Sequence, residues 1–375
     1  MNFRLLRLIM LFGEIFAITP RRNKVKKIRT KIYSICVITA LMVASTISVL
    51  YYRQPLYVNF SPIKLVLTIS MVLIVNIFNC YTVLAPVYFK RRQYCFLIRM
   101  LEQNDNVTLD DLCEKIPFYA GFVAPNVIYW GITVYVSYVW TDILGFEYYE
   151  QYFVEVIQLY FQFYYSYFLC MFVKVFVGKY KYVNFLLSEQ ILYMQMRRPT
   201  TLERFPISMR RIENLVCFLK EMNVAFNDVF GWPIILIILY SSILLLNYLD
   251  DIFKNSFGYS KNQYVGVIIS NISVVFLANI GTIALILLCD LVLDEAKTTT
   301  LLAYKLRQYA LLVEKQEISD FITLMSDNFP QFTAAGFFSV NKTTILNIMG
   351  TVTTFFIIII QFNTSRVLYC DKYGV

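Results

Sequence analysis

The chain has 375 residues and a formal net charge of +9; 58% of its residues are apolar and 16% are charged. A soluble protein carries about a quarter charged residues, so composition excludes an ordinary water-soluble domain. There is no histidine, which removes His-based catalytic triads and His-ligated metals. The sequence also lacks a nucleophile elbow, a phosphate loop and a CxxC pair, so we expect no enzyme, no metal site and no cofactor.

Residues 1–30 form the first predicted element. The stretch Phe3–Ile18 is apolar, with charged residues on one helical side and a dense basic cluster after it. This pattern predicts an amphipathic helix at the cytoplasmic membrane interface, followed by a basic segment. A secretory signal peptide is the competing interpretation, but Glu14 interrupts its apolar centre and Thr19-Pro20 offers no small-residue cleavage site.

Seven apolar segments are long enough to cross a bilayer, which takes about 20 residues each. They are Lys31–Tyr52, Ile63–Phe89, Phe118–Trp140, Tyr152–Val177, Trp232–Leu249, Tyr264–Cys289 and Thr343–Phe362. Basic residues are concentrated before the first segment and in the connections after the second, fourth and sixth. By the positive-inside rule this predicts a multi-pass plasma-membrane protein with a cytoplasmic N-terminus and an extracellular C-terminus. The positive charge then reflects orientation and contact with membrane lipid, and we expect no nucleic-acid partner.

The connections between the later spans are long. Spans one to four (31–177) are followed by residues 178–231, and spans five and six (232–289) by residues 290–340. Both connections carry apolar residues at helical spacing, which predicts cytoplasmic helices that extend the spans and pack together as an anchoring layer. Surface helices lying against the membrane are the alternative.

The last predicted element consists of two pieces. Pro330 should end the preceding helix, and the apolar segment Phe332–Val340, too short to span, is predicted to form a short inner helix. The spanning helix 341–362 follows, and residues 363–375 form an extracellular tail. The predicted fold is therefore an all-α membrane protein with seven transmembrane helices, long cytoplasmic extensions and a split last helix.

Polar residues of the last span recur at intervals of three and four and share one helical face. The series also contains the apolar Ile358, and its residues are Thr344, Asn347, Thr351, Thr354, Ile358 and Gln361. This stripe predicts a helix that lines a narrow aqueous path, with Ile358 and Phe362 as apolar constrictions. Helix–helix packing explains the same pattern, because Thr and Asn hydrogen-bond between packed spans. One helix cannot enclose a pore, so the pore interpretation requires an oligomer.

The fourth span carries a second stripe, and an ionisable group inside a span is a functional hypothesis by default. The candidate ligand-binding residues are Glu155, Gln158 and Gln162 on this span, Trp130, Tyr135 and Tyr138 on the third, and Ser70 and Tyr240 elsewhere. Aromatic rings with a few amides and one carboxylate suit a small organic ligand, a cation included. An interfacial aromatic belt with ordinary bundle packing is the alternative.

The end of the last span resembles the Thr-Tyr-five-apolar-Gln-Phe motif of insect gustatory receptors. Thr354, Gln361 and Phe362 match, and Phe355 stands where Tyr is usual. Residues 332–338 and 227–233 are also similar to that family, which is related to insect odorant receptors.

The resemblance implies a homotetramer or heterotetramer of related subunits that acts as a ligand-gated non-selective cation channel opened by a small tastant. The last span would line the central pore, with Gln361 and Phe362 at its outer gate. Each subunit would hold its own ligand pocket in the outer half of the bundle. Sugar-sensing members often carry an acidic residue inside the motif, whereas Phe356 stands there in this chain, which favours a bitter or other non-sugar tastant.

Other functions stay open from the sequence. A sugar-sensing member of the same family is the first, and a non-conducting binding subunit is another. A G-protein-coupled receptor also has seven spans, but it requires the opposite orientation and conflicts with the distribution of basic residues. A small-molecule transporter would couple to ions through ionisable groups within the spans, of which this chain has few.

Overall fold

The computed structural model describes residues 3–19, 27–58, 60–103, 118–196, 209–254, 261–310 and 312–373, which are almost entirely helical. The helices are α1 (Phe3–Ile15), α2 (Lys27–Ile47), α3 (Gln54–Val58), α4 (Pro62–Leu84), α5 (Arg91–Gln103), α6 (Phe118–Leu144), α7 (Glu147–Met196), α8 (Met209–Lys254), α9 (Lys261–Tyr309), α10 (Leu312–Asp327) and α11 (Lys342–Tyr373). π-Helical turns continue α2 over Ser48–Tyr52 and α4 over Ala85–Phe89. Strands β1 (Thr333–Ala334) and β2 (Phe338–Ser339) pair antiparallel.

Seven of the described helical stretches are long and apolar enough to cross a membrane, which confirms the prediction of seven spans. The predicted long extensions are confirmed as well. α7 has 50 residues and α9 has 49, about 75 Å at 1.5 Å per residue, more than twice the hydrocarbon core of about 30 Å. α7, α8 and α9 extend beyond the bilayer at one end of the bundle. At the opposite end the spans are joined by short connections, and we call this the short-loop end; the sequence predicts that it is extracellular.

α7 is the central helix of the bundle and packs against α9, α8, α6 and α4. Its side chains Tyr165, Phe168 and Phe172 are at most 2% exposed. Their ring centroids lie 6.4, 6.0 and 5.6 Å from that of Phe230 on α8. Large buried rings of this kind dominate the hydrophobic stabilisation of a core, so this cluster fixes α7 against α8.

The N-terminal helix α1 turns its apolar side toward the bundle. Leu6 and Ile9 are fully buried, and the Tyr164 hydroxyl on α7 donates a hydrogen bond to the Ile9 carbonyl. The Phe12 ring contacts that of Phe122 on α6 at 5.4 Å. α1 is therefore part of the helical core, and its position at the cytoplasmic membrane interface stays a prediction.

The prediction of a short inner helix over 332–340 is wrong. These residues form the β1–β2 hairpin, in which Thr333 pairs with Ser339 and Ala334 with Phe338. The chain reverses between the strands because Ala335 and Gly336 adopt positive φ angles of 47° and 80°, a conformation that a helix cannot contain and that Gly accepts readily. The last element is thus a hairpin followed by one continuous helix, α11.

The hairpin is held against α8 by the side chain of Asn227. Its Nδ2 donates to the Gln331 carbonyl at 2.5 Å, and its Oδ1 accepts from the Thr333 N–H at 3.0 Å. The Phe332 ring packs on Phe226 with centroids 5.5 Å apart. Residues 227–233 and 332–338, which both resemble the gustatory family, therefore meet in space.

Candidate functional site

A cavity of about 140 Å³ lies at the short-loop end between α3, α4, α6, α7, α8 and α9. Its walls are Arg53, Leu56, Tyr57, Phe60, Lys64, Thr68, Met71, Tyr129, Thr133, Val136, Trp140, Tyr148, Tyr152, Glu155, Val156, Leu159, Asn247, Tyr248, Asp251, Asn271, Val274 and Leu277. Concave sites with apolar and aromatic walls and a few polar groups are typical of small-molecule sites. The cavity fits that pattern.

Arg53 closes one side of the cavity. The π-helical turn after α2 ends with a hydrogen bond from the Arg53 N–H to the Ser48 carbonyl at 3.0 Å, which turns the side chain toward α7. There its Nη2 donates to Glu155 Oε2 at 2.6 Å and its Nε donates to the Gln151 carbonyl at 2.8 Å. The guanidinium also lies 4.4 Å from the centre of the Tyr152 ring. α7 therefore engages the buried Arg53 on three sides.

The charge of Arg53 survives its burial. Loss of solvent lowers the pKa of Arg53, but the Glu155 carboxylate, with Tyr152 and Tyr57, raises it, and the net pKa lies above its ordinary value. The side chains of Arg53 and Glu155 are 5% and 21% exposed. The carboxylate that the sequence offered as a contact for a cationic ligand is therefore already occupied by an arginine of the same chain.

A second ion pair, between Lys64 on α4 and Asp251 on α8, also lines the cavity. α4 begins at Pro62 and its first turn is capped by Ser61, whose Oγ accepts from the Lys64 N–H at 3.4 Å. Pro at the first helical position and Ser at the cap are both favoured there, which places Lys64 at the rim. Its ammonium also lies 5.1 Å from the centre of the Phe60 ring.

Four wall residues carry buried side-chain oxygens that have no hydrogen-bond partner among the described residues. They are the hydroxyls of Tyr57 and Thr68 and the amide oxygens of Asn247 and Asn271. Thr68, Asn247 and Asn271 are 7%, 7% and 1% exposed. Because leaving a buried polar group unpaired costs about 1–3 kcal/mol, a ligand that pairs with these oxygens is favoured.

The structure brings some of the predicted ligand-binding residues together. Glu155 lines the main cavity, and Glu155, Gln158 and Tyr240 line a smaller pocket beside it that shares Arg53. Gln158 Nε2 donates to Asn76 Oδ1 at 2.9 Å, so this amide is engaged within the bundle.

Other candidates lie away from the cavity. Gln162 is 2% exposed and lies about one helical turn after Gln158 on α7. Trp130, Tyr135 and Tyr138 are 45%, 38% and 72% exposed on the outside of α6. Ser70 is half-buried on α4. None of these five is among the lining residues of the cavity.

The cavity face of α6 consists instead of Tyr129, Thr133, Val136 and Trp140. Their spacing of four, three and four places them on one side of a helix, which is the signal that could have found them. Tyr129 is fully buried and its hydroxyl donates to the Val156 carbonyl at 2.9 Å. Tyr129 and Trp130 are neighbours in sequence, but successive helical residues point about 100° apart.

The last span, α11, buries only one narrow stripe. Val352 and Ile359 are 3% and 5% exposed and form an apolar cluster with Leu246 on α8, against which Ile63 and Leu67 on α4 also pack. α11 is therefore attached to α4 and α8 at the level of the cavity.

The predicted pore stripe lies on a different side of α11. Thr351, Thr354, Ile358 and Gln361 are all exposed on the single chain. The Thr351 and Thr354 hydroxyls donate to the carbonyls of the residues four positions earlier, at 2.8 and 2.9 Å. The side chain of Phe362 lies outside the described residues. Thr344, the first residue of the predicted stripe, is instead 6% exposed, and its hydroxyl donates to the Ser339 carbonyl at 3.1 Å. The stripe therefore faces away from its own bundle only after Thr344, as either a pore wall or a subunit contact requires.

Comparison with known proteins identifies the fold. The model of the 7tm chemosensory receptor family matches residues 3–365. The insect olfactory receptor OR5 from Machilis hrabei has a similar structure, with a TM-score of 0.67 and 14% identity over 96% of this chain and 98% of that chain. The same receptor in complex with eugenol gives a TM-score of 0.64 and 13% identity over the same shares. No curated protein sequence matches the chain.

Proposed function

The chain belongs to the 7tm chemosensory receptor family, and from that premise we propose that it is a gustatory receptor, a ligand-gated non-selective cation channel. A small extracellular tastant binds in the cavity at the short-loop end. Four subunits, identical or related, surround a pore lined by α11. The receptor lies in the plasma membrane with its N-terminus in the cytoplasm and its C-terminus outside.

One observation carries this proposal: a polar stripe in a membrane span is directed away from its own bundle. Thr351, Thr354 and Gln361 belong to the last candidate span and are exposed on the single chain. In lipid, polar side chains are costly, so this side is expected to meet water or a neighbouring subunit. A central pore built from several copies supplies both.

The same helices connect the cavity to α11. On α8, Asn247 lines the cavity and the preceding Leu246 packs on α11. On α4, Lys64 lines the cavity and the preceding Ile63 packs on the same α11 cluster. A ligand that binds more tightly to one arrangement of α4 and α8 therefore shifts the equilibrium toward that arrangement, and α11 moves with the two helices. The favoured arrangement is the one in which the pore is open.

The tastant proposed is not a sugar. Phe356 occupies the place where sugar-sensing members often carry an acidic residue, and the walls of the cavity are rich in aromatic rings. A sugar-sensing receptor is the second candidate within the family. Currents recorded against matched panels of sugars, alkaloids and other bitter compounds distinguish the two.

The pore is tested with two neighbouring threonines on α11. Thr353 and Thr354 are both exposed, and each hydroxyl donates to the carbonyl four residues earlier, at 2.8 and 2.9 Å. Only Thr354 belongs to the proposed pore stripe. Thr354→Val is expected to change ion permeation or gating, whereas Thr353→Val, which removes the same group one position away, is expected to leave the currents of equally expressed channels unchanged.

The alternatives to a channel give different results in the same cells. Equal effects of the two threonine variants would count against α11 as the pore wall. Saturating flux without single-channel steps would indicate a transporter. An N-terminal epitope tag accessible on intact cells would contradict the proposed orientation and favour a G-protein-coupled receptor.

A further inference from the structure

The basic and acidic side chains that line the cavity at the short-loop end are equal in number and are paired with each other. Of the described residues that line it, four are charged: Arg53, Lys64, Glu155 and Asp251. They form two ion pairs within the chain. We propose that the cavity selects an electrically neutral molecule that carries hydroxyl or N–H donors on a small flat ring. This inference rests on the proposed function, because it names the ligand class of the same cavity.

The two ion pairs favour a neutral ligand. A charged ligand must either compete for a partner that is already engaged or remain unpaired in a buried site, and both are unfavourable. The Arg53 guanidinium has little freedom to turn away, since it also donates to the Gln151 carbonyl and lies on the Tyr152 ring. The Lys64–Asp251 pair also lines the cavity. A neutral ligand disturbs neither pair.

The unpaired oxygens of the wall favour a ligand with donors. Asn247 and Asn271 line the cavity, and each has a buried amide oxygen without a partner among the described residues. Amide oxygens accept only, so a ligand satisfies them only if it brings donors. A hydroxyl or N–H satisfies this need, whereas an ether of the same shape leaves the oxygen unpaired. Sites of this kind reject analogues that lack the donor more strongly than analogues that differ by one methylene.

The shape and size of the cavity favour a small flat ring. Trp140, Tyr148 and Tyr152 contribute aromatic surface to the walls, which favours a flat ring stacked or packed edge to face. One water needs about 10–15 Å³ of such volume, so a cavity of about 140 Å³ holds on the order of ten non-hydrogen atoms. A hydroxylated ring with a short polar chain fits these limits.

Four compounds with one skeleton test the proposal. Tyrosol is neutral with two hydroxyls, tyramine is its cationic analogue, 4-hydroxyphenylacetate is its anionic analogue, and 4-(methoxymethyl)toluene is an ether of the same size and outline that lacks both donors. Binding to the purified full-length protein in lipid nanodiscs is measured by calorimetry, independently of any current. Tyrosol is expected to bind at least about tenfold more tightly than each of the other three. Tighter binding of tyramine or 4-hydroxyphenylacetate would overturn the charge argument, and equal binding of the ether would overturn the donor argument.

Variants of the ion pair give a result that a loss of folding cannot imitate. Arg53→Gln frees the Glu155 carboxylate and is expected to shift the preference toward tyramine. Glu155→Gln frees Arg53 and is expected to shift it toward 4-hydroxyphenylacetate. The double variant is expected to restore the preference for tyrosol. Three variants that keep the order of the wild type would refute the assignment of this cavity.

If the proposed function is wrong, the binding measurements give a different result. If none of the four compounds binds at millimolar concentration, the small-molecule site itself is wrong for ligands of this size. If tyrosol binds but Asn271→Leu does not reduce the discrimination between tyrosol and the ether, the compound binds elsewhere than at the unpaired oxygens. Either result is distinct from a preference for charged ligands.

Discussion

The contact between Gly231 on α8 and the turn of the β1–β2 hairpin has no room for a side chain. A Cβ at position 231 would lie 2.6 Å from the backbone nitrogen of Ala335 and 2.8 Å from its Cα. These are backbone atoms in a turn where Ala335 and Gly336 hold positive φ angles, so they cannot yield as the end of a flexible side chain would. Gly231→Ala is therefore expected to displace the hairpin and to destabilise the protein.

The magnitude follows from two opposing effects. Overpacking of a tight contact costs about 1–3 kcal/mol, and a clash with backbone belongs at the upper end of that range. Replacing a helical glycine by alanine stabilises the helix by about 0.8–1 kcal/mol. The expected net loss of protein stability is therefore about 2 kcal/mol. With an unfolding entropy of about 2.1 cal/mol/K per residue, a chain of 375 residues loses about 2–3 °C in Tm.

Thermal unfolding of the purified protein in one detergent measures the effect. Gly131→Ala on α6 is the matched control, because a Cβ there would meet no atom within 4 Å; its Tm is expected to stay within about 1 °C or to rise through helix propensity. A Gly231→Ala protein that unfolds at or above the temperature of Gly131→Ala would refute the reasoning. It would mean that the hairpin is free to move away from α8.

Three further changes have defined outcomes. Arg53→Gln leaves the half-buried carboxylate of Glu155 unpaired and is expected to cost about 3 kcal/mol, the lower end of the range for a buried pair, and more than the double variant with Glu155→Gln, in a thermal-unfolding double-mutant cycle. Asn227→Leu removes two hydrogen bonds to the hairpin and is expected to cost about 2–3 kcal/mol, measured in the same assay. Gln361→Ala is expected to change gating or ion permeation while surface labelling stays at the wild-type level.

Each of these has a result that would count against it. A double variant whose loss of stability equals the sum of the losses of the two single variants would show that Arg53 and Glu155 are not coupled. An Asn227→Leu protein as stable as the wild type would show that the hairpin does not depend on this side chain. Currents from Gln361→Ala that match the wild type at equal surface labelling would remove Gln361 from the gate.

The helices could be predicted from the sequence because their signals are local. Apolar runs of about 20 residues mark spans, and helical spacing marked the extensions that α7 and α9 show as 50- and 49-residue helices. The hairpin over 332–340 could not be predicted in the same way. Its conformation depends on two consecutive positive φ angles and on a glycine about a hundred positions earlier, against which the turn is packed. Neither is visible in the apolar pattern of the segment itself.

The cavity shows why a polar residue in a span identifies a site more readily than it identifies a ligand. Glu155 was found from sequence because a carboxylate in a span is costly and therefore informative. Whether that carboxylate is available depends on Arg53, which is 102 positions away and whose turn toward α7 is set by the π-helical end of α2. The ion pair changes which ligand the residue favours. A free carboxylate attracts a cation, whereas a carboxylate paired with Arg53 contributes no net charge to the wall. Charge selectivity is thus a property of the ion pair. It could not be predicted from the sequence, because only the fold brings Arg53 and Glu155 together.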